Sequence, residues 1–80
     1  MISRLTDSDK VVGVKQVKRA LNSETVKAVY IAKDAEEKVI GEISEICTKK
    51  QIQVFYVENM RELGEACKID VNAAVAALII

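Results

Sequence analysis

Lys15, Gln16 and Arg19 are the side chains of this sequence best placed to do binding chemistry. They follow Gly13 in the run Gly13-Val14-Lys15-Gln16-Val17-Lys18-Arg19, directly after the β-branched pair Val11-Val12. Wound as a helix of 3.6 residues per turn, the run puts Val14, Val17 and Leu21 on one face. Lys15 and Arg19, four residues apart, point the other way with Gln16 beside them, and Lys18 falls between the two faces. A helix start carries unpaired N–H groups and a partial positive charge. Cations placed there work against the helix, and that conflict points to an anionic partner, commonly phosphate. The same side chains would also fit a solvated charged face.

Other chemistry is poorly provided for. Histidine is absent, which removes the commonest general base and metal ligand. No glycine-rich phosphate loop, nucleophile elbow or zinc-binding H-E-x-x-H occurs. Glu42 and Glu45 fall on a solvated helical face. Asp34, Glu36 and Glu37 stand at a helix start, where acidic residues favour the dipole. Cys47 and Cys67 form no C-x-x-C pair and read as reduced core thiols of a cytosolic protein. The expectation is therefore no enzyme, with no catalytic residues, no metal, no cofactor and no small-molecule substrate. There is no N-terminal apolar run of signal-peptide length, and the longest apolar run, Ala73 to Ile80, is too short to span a bilayer. A cytoplasmic protein without a membrane partner is expected.

Eighty residues, half of them hydrophobic, make one small domain over 1–80 with enough apolar surface for a core. The net charge is zero, which argues against nucleic-acid binding by bulk charge. The charge is unevenly spread. Residues 10–27 hold five basic residues against one acidic, a net of +4, while residues 28–80 hold six against nine, a net of −3.

The elements that must position the opening stretch follow from periodicity. A short helix is expected near Ile2, and Thr6-Asp7-Ser8-Asp9 reads as a turn. Lys10 to Val12 reads as a short strand. The helix from about residue 14 ends near Asn22-Ser23, where Asn suits a left-handed stop. Val26 to Ala32 is β-branched and aromatic, hence a strand. Asp34 with Glu37 resembles a capping box opening a helix to about Lys50, with Val39, Ile40, Ile43, Ile46 and Cys47 as its inner stripe. Ile52 to Val57 is a strand. Asn59 with Glu62 opens a short helix with Met60, Leu63 and Cys67 inward. Val75 to Ile80 has no polar residue, as a central strand covered on both faces requires. Alternating strands and helices give an α/β fold, with helices on both sides of one mixed sheet of about four strands; the strand order does not follow from the sequence.

Three segments, Gly13 to Leu21, Val29 to Glu36 and Leu63 to Val71, resemble in order and spacing the archaeal and eukaryotic L-seven-Ae kink-turn-binding ribosomal protein family. The chain is similar to its short bacterial members. The resemblance implies a three-layer α/β/α sandwich that binds structured RNA, ribosomal or riboswitch, at kink-turns. These are helical stems bent sharply at tandem sheared G·A pairs. A monomer is expected. The family motif Gly-x-Asn-Glu-x-x-Lys has Gly13 in place, Lys15 for the Asn, Gln16 for the Glu and Arg19 for the Lys. In the family these side chains face the guanines of the G·A pairs. Lys15 lacks an acceptor and adds charge, while Gln16 keeps an acceptor and loses charge, so both changes favour phosphate attraction. Short bacterial members share this Lys-Gln pair.

The implied RNA-binding set is Gly13, Val14, Lys15, Gln16, Lys18, Arg19, Lys33, Glu36, Ile40, Ile69, Asp70 and Val71. Lys18 and Lys33 would add charge toward phosphates. Glu36 falls near the family's extruded nucleotide. Ile40 falls where some members contact that base, although it also fits the edge of the core stripe. Ile69-Asp70-Val71 matches the apolar loop laid against the minor-groove side of the G·A region; the alternative is that Ile69 and Val71 plug the sheet end. A rival use of the same fold is a protein-interaction or self-association module.

Overall fold

A computed structural model describes residues 9–23, 26–69 and 71–79. Its elements in order are β1 (Lys10–Val12), α1 (Val14–Asn22), β2 (Val26–Ala32), α2 (Glu37–Lys50), β3 (Gln53–Val57), α3 (Met60–Ala66) and β4 (Val75–Ile79). The expected helix near Ile2 and most of the turn at Thr6-Asp7-Ser8-Asp9 lie outside the described residues.

The four strands form one mixed sheet in the order β1-β4-β2-β3. β4 runs antiparallel to both β1 and β2, whereas β2 and β3 are parallel. The wholly apolar β4 is thus central, and Val75, Ala76, Ala77 and Leu78 are all buried. Alternate residues of each strand face opposite layers. On one side, Val29, Ile31, Val75 and Ala77 meet Val17 and Leu21 of α1 and Ile43 and Cys47 of α2. On the other, Tyr30, Ala32, Val57, Ala76 and Leu78 meet Leu63, Ala66 and Cys67 at α3. The result is a helix–sheet–helix sandwich. Cys47 and Cys67 are free and buried, and burial pushes both thiols up, away from the reactive thiolate.

Two helix ends differ from the sequence expectation. Asn22 is the last helical residue and takes no left-handed turn; Ser23 closes α1 instead, its Oγ donating to the Arg19 carbonyl at 2.8 Å. Side-chain satisfaction of that carbonyl removes the need for a left-handed stop. The Asp34–Glu37 box does not form either. Glu36 is the N-cap of α2 and makes no side-chain cap bond. Asp34 is two residues too early for that role. Its Oδ1 instead accepts from the Met60 N–H at 2.8 Å, at the start of α3. The Asn59 box is half realised, with Asn59 Oδ1 accepting from Glu62 N–H at 2.8 Å. Two side chains therefore satisfy the first turn of α3, one of them from 26 residues upstream.

Candidate functional site

Backbone hydrogen bonds gather the candidate residues at one end of the sheet. Gly13 N–H donates to the Val75 carbonyl at 3.0 Å, fixing the start of α1 to the start of β4. Ala32 N–H donates to Ala74 at 2.9 Å and Lys33 N–H to Val57 at 2.8 Å, so the turn after β2 lies beside both. Ala73 N–H donates to Met60 at 3.1 Å, bringing in the loop after α3. The α1 N-terminus, the Lys33–Glu36 turn and the 67–74 loop thus form one continuous surface.

Gly13 is the N-cap of α1 at φ 102°, ψ 153°, a conformation that side-chain-bearing residues rarely adopt. Among the described residues, a Cβ built there meets nothing within 4 Å. The first turn has no side-chain cap and no acidic residue. Lys15 and Gln16 are exposed in it, Arg19 is exposed on the same side one turn further on, in the last turn of α1, and Val14 is half-buried against the α1–α2 core. The arrangement offers unpaired N–H groups, two cations and one amide on one open face, suited to phosphates and to base edges.

Lys18 is placed differently. Its Nζ lies 2.5 Å from Glu42 Oε2 on α2, and both side chains are partly covered. The Lys18 hydrogen bond, and then its charge, hold the Glu42 carboxyl below its ordinary range. Glu42 is therefore not simply a solvated residue, and Lys18 is already engaged. Lys33 is exposed and makes a looser pair with Glu58 at 3.4 Å. Glu36 is exposed at the N-terminus of α2. Ile40 is half-buried and packs against both core layers, the core-edge placement.

The loop after α3 separates two residues that the sequence treats alike. Ile69 is half-buried against the α3-side core, whereas Val71 is 69% exposed. Asp70 lies outside the described residues. The loop is held by its own helix. Lys68 takes a left-handed φ of 59°, Lys68 N–H donates to Glu65 at 3.0 Å and Ile69 N–H to Gly64 at 3.1 Å, a Schellman ending. Gly64 lets the loop cross the helix, since a Cβ there would stand 2.3 Å from the Val71 carbonyl oxygen.

The basic run of the sequence is divided by the fold. Lys10 pairs with Leu78, and Leu78 with Ala28 beside Lys27, so both lysines lie at the far end of the sheet. Lys15 and Arg19 remain as the exposed cations of α1. Glu42 as the partner of Lys18, Glu58 as the partner of Lys33 and Gly64 as the crossing point are features that only the fold brings out. The first two contacts span 24 and 25 residues and carry no local signal. Gly64 in a helical pattern was the one sign available. Among the described residues no group of His, Cys, Asp or Glu could hold a metal ion, and no helix is long and apolar enough to cross a membrane.

Residues 2–80 match the family described as Ribosomal protein L7Ae/L30e/S12e/Gadd45. The chain belongs to this family. RNA-binding protein TTE2299 of Caldanaerobacter subterraneus is 51% identical over 71 residues, covering 89% of this chain and 87% of that protein. RNA-binding protein YbxF of Geobacillus stearothermophilus is 36% identical over 69 residues, covering 86% and 84%. The Giardia lamblia 15.5kD RNA binding protein superposes with a TM-score of 0.91 over 99% of this chain and 70% of its own, at 19% identity, a likeness of fold. The α/β/α sandwich with a mixed four-stranded sheet is thus the fold of this family.

Proposed function

We propose that this chain binds structured RNA, and that its target is the kink-turn with tandem sheared G·A pairs. The observation that carries the proposal is one open sheet end. There the start of α1, with Lys15 and Gln16 in its first turn and Arg19 one turn further along the same exposed side, is bonded to the same strand end as the loop presenting Val71. The names of the relatives, RNA-binding proteins that match most of the chain, support it. In this reading Arg19 and Gln16 address guanine edges, Lys15 and the α1 N–H groups meet phosphates, and Val71 lies on the minor-groove side. Glu36 stands beside the extruded nucleotide, with Ile40 at its border. The protein works in the cytoplasm as a clamp, without catalysis or cofactor, one chain to each kink-turn. Titration with a kink-turn stem-loop, beside a control whose G·A pairs are replaced by Watson–Crick pairs, tests the reading. Clear preference for the kink-turn is expected; equal affinity for the two RNAs would remove it.

A further inference from the structure

β3 forms one edge of the sheet and, among the described residues, is paired only with β2. The Val57 carbonyl accepts from Lys33 N–H, so the polar groups of Val57 face β2. Backbone direction alternates along a parallel strand. Those of Gln53 and Phe55 therefore face β2 as well, and those of Val54 and Tyr56 face outward. Edges are ordinarily blunted by lysine, proline, a bulge or a cover. The segment Gln53-Val54-Phe55-Tyr56-Val57 has no charge and no proline, and its register with β2 runs without a shift. Tyr56 is 52% exposed and Val54 and Phe55 are half-buried. Val71, the other large exposed hydrophobic among the described residues, belongs to the site above; Tyr56 does not.

We propose that the open edge of β3 is a self-association surface, on which a second copy of this chain adds its own β3 antiparallel about a two-fold axis at Phe55. The geometry closes on itself. Val54 faces Tyr56 of the second copy and Tyr56 faces its Val54. Each such pair consists of outward-facing residues and exchanges two N–H···O bonds. Phe55 meets Phe55 of the copy as the close, non-hydrogen-bonded pair, beside the Tyr30 ring stacked on it at 5.2 Å. Charge selects the same occupant and the same direction. Lys49, in an exposed pair with Glu45 one turn back at 3.2 Å, and Lys50 end α2 just before β3, and Glu58 follows it. Antiparallel reversal brings Glu58 of each copy to the lysine end of the other, whereas a parallel pairing would set like against like. The Glu58 side chain is 70% exposed and its bond to Lys33 is long, which leaves it available to a second cation. α1 packs over β1 and β4, toward the edge of the sheet opposite β3. Lys15, Gln16 and Arg19 therefore stay uncovered, and the dimer presents two such faces in place of the single face of a monomer.

A pairing of this size lies at the small end of interfaces, so association is expected at roughly 0.1–1 mM chain. Sedimentation of the full chain from micromolar to about 1 mM measures it. Tyr56→Lys puts a charge on the open edge at an exposed position. It is expected to weaken association at least tenfold with the melting temperature unchanged. Register is read by disulfide formation under oxidised glutathione. Phe55→Cys places two thiols face to face at the axis and is expected to cross-link readily, while Gln53→Cys, offset from the axis, is not. Absence of association at 1 mM, association indifferent to Tyr56→Lys, or faster cross-linking of Gln53→Cys would each overturn the proposal. Should Phe55→Cys fail to fold, the Tyr56→Lys comparison decides alone.

Discussion

Lys15 and Lys18 stand three residues apart on α1, yet only Lys15 faces open solvent at the helix start. Lys18 is bonded to Glu42 across the α1–α2 groove. Glu42→Gln therefore releases a cation next to the site, and RNA binding is expected to strengthen about two- to fivefold. Lys18→Ala should cost far less affinity than Arg19→Ala; equal losses would show that Lys18 leaves Glu42 for the RNA. The sign of the pH effect follows from the depressed carboxyl. Its stabilising contribution is present above the ordinary value of 4.5 and is lost as pH falls through the lower folded value. Acid should thus loosen the α1–α2 groove, and Glu42→Gln should flatten the acid limb of a melting-temperature profile. Two residues along the loop make a second contrast. Val71→Ser should leave stability within about 0.5 kcal/mol while weakening RNA binding several-fold. Ile69→Ser should lower stability by about 1–2 kcal/mol, because Ile69 rests on the core. Thermal melts beside RNA titrations separate the two. From sequence they were indistinguishable, since both are apolar residues in one loop and only the fold decides which turns inward.

At the scale of elements, much was legible because hydrophobic periods are local. Val26 to Ala32, the stripe from Val39 to Cys47, and the apolar β4 each announce their type and inner face. Helix ends were less legible where the usual residue is missing. Gln51 and Lys68 both take left-handed endings at φ 58° and 59° with no glycine to mark them. Asp34 looked like the cap of α2, and only the proximity of β2 and β3 ends turns it to α3. The crossing of α3 by the 67–74 loop is the element-level feature that shapes the site. Gly64→Ala would set a methyl group against the Val71 carbonyl, a backbone atom with little freedom to yield. It is expected to destabilise the fold by about 1–3 kcal/mol and to weaken RNA binding beyond the unfolded fraction, because the loop itself must shift. Unchanged affinity per folded molecule would separate the loop from the interface.

For the whole molecule, strand order was beyond the sequence because pairing partners are set by packing of distant segments, and the order also rearranged the charge. The run from Lys10 to Lys27 carries +4 in sequence, but Lys10 and Lys27 end at the opposite end of the sheet and Lys18 is neutralised. Lys15 and Lys33 are left to meet phosphates, with the charge of Arg19 beside them at the guanine edge. With about three counterions released, the slope of log K against log[salt] is expected to be roughly −2 to −3. A slope near zero would reduce the site to a solvated face, and one much steeper would return Lys10 and Lys27 to it. The central claim is that α1 reads the G·A pairs rather than merely attracting phosphate, and a double-mutant cycle across the interface addresses it. Wild-type and Arg19→Ala protein are each titrated with the kink-turn and with its Watson–Crick control. Arg19 is exposed and clear of the core, so its removal leaves the fold intact. A guanidinium bonded to guanine O6 and N7 gives about 1–3 kcal/mol of discrimination. Arg19→Ala is therefore expected to weaken kink-turn binding roughly ten- to a hundredfold and the control much less. Equal losses on the two RNAs, giving no coupling between Arg19 and the G·A pairs, would contradict the account.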